Sequence, residues 1–174
     1  GSDLMPSMNL FFAQFNIAAF VETTFGYTAV PVPSGPLHNV TPVNKPLPVF
    51  IGPKRNAYII HSERAAYLAG IGDLAWNNML VTEQYGPRQM IGLVITSMEL
   101  EYDRPYSSAP LCDPEKCGVC SRLCPTHAIS PAGGETDTVE LCGRSIKMAH
   151  INANACAVAS MAFRWEFAVK ASVP

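Results

Sequence analysis

Apolar residues recur along this chain in two rhythms, and each predicts a different element. Over residues 7–25 they follow a helical period. Leu10, Ile17, Ala18, Val21 and Phe25 fall on one side, with Phe11 and Phe15 beside them. Ser7 is placed to cap this helix and Gly26 to end it in a left-handed turn, so a core helix is expected. A second helix is expected over 62–69, capped by Ser62 and stopped at Gly70. Residues 79–81 and 90–95 read as buried strands joined by the turn Glu83-Gln84-Tyr85-Gly86-Pro87, and 57–60 as a short strand. A hairpin is expected over 139–151, turning near Cys142-Gly143, and a last helix over 155–170 with Val158, Met161, Ala162 and Trp165 along one stripe.

Between these elements lie irregular stretches. Residues 31–53 hold seven of the fifteen prolines, which predicts an extended segment running over a surface. Residues 103–110 form a loop that leads into a dense group of cysteines. No internal repeat or low-complexity tract interrupts the pattern.

The 174 residues suffice for one domain with a real core, together with a small appended unit. The chain is 48% hydrophobic and only 15% charged, so much of its surface is expected to be covered by a partner, a cofactor or further chain. Homo-oligomerisation is compatible with this balance. Twelve basic and fourteen acidic residues give a net charge of −2, which argues against a nucleic-acid partner. No apolar run reaches the length of a membrane span, so no membrane partner is expected. Residues 5–20 are apolar but lack a basic n-region and a small-residue cleavage site, unlike a signal peptide.

Cysteine placement changes the picture most. Cys112, Cys117, Cys120 and Cys124 fall within thirteen residues, and Pro125 follows the last. A secreted disulfide framework spreads its cysteines, so this clustering points to a reducing, cytoplasmic setting and to metal. Iron in a 4Fe–4S cluster wants one external thiolate per iron, and a short loop can aim several thiolates at one cube. The ferredoxin spacing is Cys-x2-Cys-x2-Cys-x3-Cys-Pro. Cys117 and Cys120 fit its second and third places, and Cys124 the place before proline. The first place falls on Pro114, so Cys112, two residues earlier, needs a small bulge to reach.

One cluster is expected, and two ligand sets compete. One is Cys112, Cys117, Cys120 and Cys124. The other replaces Cys124 by Cys156, which opens a helix where free backbone donors favour a thiolate. The second is slightly preferred. Cys142, in a tight turn, is expected to be a plain thiol. Zinc is the competing metal, but structural zinc sites usually present two separated cysteine pairs. His38, His61, His127 and His150 are scattered, with His127 beside the cysteine loop. Trp76 and Trp165 read as core or interface residues, and Tyr58, Tyr67 and Tyr85 as packing groups.

A second signal precedes the cysteines. Ser62-Glu63-Arg64-Ala65-Ala66 leads into Ala69-Gly70-Ile71-Gly72, then Asn78-Met79-Leu80-Val81, Tyr85-Gly86-Pro87-Arg88 and Gly92-Leu93-Val94-Ile95-Thr96. Asp103 and Pro105 follow. This order resembles epoxyqueuosine reductases and corrinoid-dependent reductive dehalogenases over about residues 58–130. The resemblance implies an α+β fold: a nitroreductase-like core over 1–106, then a ferredoxin-like iron–sulfur segment over 107–174. It implies a cobalamin ligand near Gly70, Gly72, Asn78 and Gly92, where glycines admit close backbone approach. Ordinary turn and strand packing explains the same glycines equally well. The chain departs from the family at Ala75-Trp76-Asn77-Asn78, where a lysine is missing, and it has no second cluster motif.

The residues thus predict an oxidoreductase-like iron–sulfur protein, suited to anaerobic conditions. It would pass single electrons to a redox partner protein or a bound cofactor. A cobalamin-dependent reductase is the alternative. A non-redox module stapled by its metal is a third reading.

Overall fold

The computed structural model describes residues 4–32 and 61–156. Its chain order is α1 (Leu4–Phe25), β1 (Ala29–Val32), α2 (Ser62–Leu68), β2 (Asp73–Leu74), β3 (Leu80–Val81), β4 (Leu93–Thr96), α3 (Val119–Leu123), β5 (Thr136–Leu141) and β6 (Arg144–Ala149). The strands form three two-stranded antiparallel sheets, β1–β4, β2–β3 and β5–β6. The fold is mixed helix and strand. Among the described residues no helix is long and apolar enough to cross a membrane.

α1 ends where the sequence predicts. Gly26 takes φ +74°, and its N–H closes onto Glu22 O at 3.1 Å. The buried face differs from the expected one. Gln14 and Ala18 are buried, Leu10 and Val21 half-buried, while Phe11, Phe12, Phe15, Ile17, Phe20 and Phe25 are exposed. Gln14 decides this orientation. Its Nε2 donates to Val32 O and Leu93 O, both at 2.9 Å, and so fastens the helix across the ends of β1 and β4. A polar residue with two carbonyls to satisfy outranks the larger apolar residues around it.

β3 and β4 do not pair with each other as the joining turn suggested. β3 pairs with β2, in register Leu74↔Leu80, and β4 with β1, in register Ala29↔Thr96. The intervening turn closes on itself, with Thr82 and Gly86 exchanging backbone bonds of 3.1 and 2.9 Å. Nor are both strands fully buried, since Ile95 is exposed. α2 begins at Ser62, but no side chain caps it, and the Ser62 hydroxyl bonds Glu63 instead.

The β5–β6 hairpin turns at Cys142 and Gly143, at φ +49° and +74°. Two left-handed residues make the type of two-residue turn that matches strand twist. The core joins both halves of the chain. Ala66, Tyr67, Leu74, Leu80 and Met148 pack together, flanked by Tyr106, Val139, Leu141 and Ile146. The expected strand at 57–60 and the proline-rich stretch beyond Val32 lie outside the described residues. So does the last helix, of which residues 153–156 are seen.

Candidate metal centre

Three elements surround the cysteine loop: the β2–β3 hairpin before it, α3 within it, and the segment after β6. Asp73 at the start of β2 accepts from Leu74 N at 2.9 Å with Oδ1 and from Leu111 N at 3.0 Å with Oδ2. Trp76, in the β2–β3 loop, donates its backbone N–H to Cys112 Sγ at 3.4 Å. Its indole Nε1 donates to Ser130 O at 2.8 Å, and its own carbonyl accepts from Ala149 N at 2.8 Å. The entry and exit of the cysteine loop are therefore held by one buried residue.

Between Cys112 and Cys117 the chain makes one helical turn. Cys117 N bonds Asp113 O at 3.0 Å, and Lys116 N bonds Asp113 Oδ1 at 3.3 Å. Lys116 Nζ also meets Asp113 Oδ2 at 3.0 Å, and these bonds hold the exposed Asp113 carboxyl below its ordinary range. Gly118 then takes φ +55° and starts α3. An added Cβ there would meet the Arg122 guanidinium at 3.1 Å. α3 carries Cys120. Burial pushes the Cys120 thiol up, and its neighbours Cys112 and Cys117 push it further. The winding of 113–118 thus leaves Cys120 in the field of both Cys112 and Cys117.

Cys124 ends α3 in extended backbone, as a residue before proline prefers. Its Sγ accepts from Ala128 N at 3.3 Å and lies 3.7 Å from Thr126 Oγ1. Burial opposes the Cys124 thiolate, yet the backbone N–H groups of Ala128, Thr126 and Ile129 outweigh it, and the thiol sits below its ordinary value. Residues 128–130 run against 150–152, with Ser130 N on His150 O at 3.1 Å and Asn152 N on Ala128 O at 2.9 Å. Thr126 Oγ1 donates to Ala155 O at 2.9 Å. These bonds bring Cys156 into the field of Cys124. Burial raises the Cys156 thiol, and Cys124 raises it further. The helix-end argument for a Cys156 thiolate is overridden by desolvation.

Among the described residues, no three Cys, His, Asp or Glu side chains stand close enough to hold a metal ion. The donor chemistry is nonetheless suited to iron–sulfur. It offers soft sulfur atoms on one loop, with N–H groups already aimed at Cys112 and Cys124. Cys142 stands apart, exposed in its hairpin turn. His127 is exposed, and His150 pairs with Asp137 at 3.1 Å.

The glycines expected to admit a ligand also stand close to other parts of the chain. At Gly70, φ +72°, a Cβ would lie 2.6 Å from Arg104 O. At Gly72 it would collide with Val81 O, and at Gly92 it would lie 2.8 Å from Gln14 Cγ. Asn78, φ +64°, borders a shallow surface depression with room for about a water molecule, lined also by His61, Glu63, Arg64, Leu74 and Met148. Its buried Oδ1 has no partner among the described residues. None of the three glycines lines that pocket. Asp73 and Trp76 are the site residues that sequence reasoning missed, and neither carries a motif that would single it out.

Comparison with known proteins adds a partial likeness. The chain is similar to two kinds of reductase. It is 37% identical over 67 residues to a tetrachloroethene reductive dehalogenase of Desulfitobacterium hafniense, covering 37% of this chain and 12% of that protein. It is 34% identical over 73 residues to an epoxyqueuosine reductase of Synechocystis, covering 40% of this chain and 23% of that one. An epoxyqueuosine reductase of Gloeobacter violaceus matches at 34% over 67 residues, or 19% of its length. The match thus spans less than a quarter of each of these relatives. No family model and no solved structure matches the chain.

Proposed function

We propose that this chain is a one-electron redox protein of reductase type, with one 4Fe–4S cluster held by its cysteine loop. The observation that carries the reading is the loop itself. Cys112, Cys117, Cys120 and Cys124 lie within thirteen residues, and backbone N–H groups point at the sulfurs of Cys112 and Cys124. The partial likeness to reductases supports the reductase class. A bound cluster supplies a one-electron couple at low potential. The protein's part is to present four thiolates, direct N–H groups at sulfur and shield one side with Trp76 and Ala128, both buried. N–H donors stabilise charge on sulfur and so set the potential.

Cys112, Cys117 and Cys120 supply three ligands. Cys124 is the better fourth, because Ala128 N already donates to its sulfur, whereas burial raises the Cys156 thiol. The electron comes from a reduced protein donor and leaves to a partner or a bound small molecule. In this reading residues 1–106 are the nitroreductase-like part and 107–174 the ferredoxin-like part. Oxygen-free protein should be brown, with iron and sulfide near four each per chain, as one cube requires. Cys124→Ser should then cost more iron than Cys156→Ser. Equimolar zinc without sulfide would defeat the redox reading in favour of a structural metal.

A second reading is a corrinoid-dependent reductase, which the partial likeness to a reductive dehalogenase and to epoxyqueuosine reductases supports. Cobalamin added to the reconstituted protein would change its absorption spectrum only in that case.

A further inference from the structure

Cys112 is the one loop cysteine out of place, two residues from where ferredoxin spacing puts it. The turn at 113–117 takes up the extra chain but does not aim the Cys112 sulfur. Two contacts from outside the loop do so. Asp73 Oδ2 holds Leu111 N at 3.0 Å, and Trp76 N points at Cys112 Sγ at 3.4 Å. Both come from the same short β2–β3 hairpin, which is built into the core through Leu74 and Leu80. The indole of Trp76 then fixes the far end of the loop at Ser130.

We infer that the β2–β3 hairpin is the positioning device for the displaced thiol, with Asp73 and Trp76 as positioning residues for the cluster ligand Cys112. The inference rests on Cys112 being a ligand, as proposed above. Asp73 fixes the backbone just before the thiol. Trp76 directs an N–H at its sulfur and closes the loop behind it. An N–H···S bond from a rigid hairpin both orients a ligand and tunes its charge.

The test compares the full chain with Asp73→Ala, Asp73→Asn, Trp76→Phe and a Cys142→Ser control. Amide exchange is read on metal-free protein, and iron loss to a chelator on reconstituted protein. Asp73→Ala should speed exchange across 111–113 about fivefold to tenfold, the factor one lost hydrogen bond corresponds to. Iron should leave faster by a similar factor. Asp73→Asn keeps one acceptor oxygen and should fall between Asp73→Ala and the unaltered chain. Trp76→Phe keeps the backbone donor but loses the indole bond, so exchange should rise at 130 more than at 112. Cys142→Ser should match the unaltered chain in both readouts. Unchanged exchange over 111–113, or unchanged iron loss, in folded Asp73→Ala protein would overturn the inference. Should Asp73→Ala fail to fold, Asp73→Asn and Trp76→Phe decide it by the same measures. If the unaltered chain takes up neither iron nor sulfide, the proposed function falls, and the exchange comparison still shows whether the hairpin holds Cys112.

Discussion

At the scale of single residues, the two neighbouring thiols Cys124 and Cys156 are pushed in opposite directions. Burial raises Cys156, while N–H donors hold Cys124 down despite its own burial. In metal-free protein, the pH dependence of iodoacetamide labelling should show Cys124 reacting at lower pH than Cys156. The sign for stability follows from the same shift. A thiol whose folded value is depressed stabilises the fold above its unfolded value, and loses that contribution as pH falls through the folded one. Gly70 gives a second prediction. Its φ of +72° and the 2.6 Å approach to Arg104 O leave no room for a methyl group. Gly70→Ala should cost about 1–3 kcal/mol in urea unfolding, the usual range for a strained backbone position. These local facts were unevenly legible in the sequence. The stops at Gly26 and the turn at Cys142-Gly143 could be read because glycine marks left-handed backbone. The burial of Gln14 could not, because its cause is two carbonyls from strands 18 and 79 residues away.

At the scale of elements, pairing was the least legible feature. Residues 79–81 and 90–95 looked like two arms of one hairpin because only a turn separates them. Each found another partner, and β1 with β4 spans more than sixty positions of chain. Local pattern records burial and turn chemistry, and says nothing of which distant strand supplies the hydrogen bonds. The same limit hid the supporting hairpin of the cysteine loop. Asp73 and Trp76 act on residues more than thirty positions away, through bonds that pair a side chain with a distant backbone group and leave no mark on local pattern. The cysteine spacing was legible, as were the two extra residues that separate Cys112 from the place taken by Pro114. The α1 packing gives a test at this scale. Gln14→Ala removes both bonds that fasten the helix to the strand ends. It should lower stability by about 1–3 kcal/mol, as expected for two lost hydrogen bonds.

At the scale of the whole molecule, the described chain has a core shared by residues from both sides of the cysteine loop, and a helix whose aromatic face is exposed. Phe11, Phe12, Phe15 and Phe20 contribute little to the packing of the described residues. Replacing Phe12 and Phe15 together by Glu should raise solubility and leave the thermal midpoint within about 4 °C, the shift of a change under 1 kcal/mol. A drop well beyond that would show these rings to be buried in the folded protein.

Trp76 grips Cys112 at one end, Ser130 at the other and Ala149 on β6. The nineteen residues from Cys112 to Ser130 therefore form a closed circuit rather than a dangling arm. A protease that severed the backbone once inside that circuit would leave the C-terminal fragment bonded to Trp76 of the N-terminal one through Ser130 and Ala149. The nicked molecule should run as one species under native conditions and come apart only in denaturant.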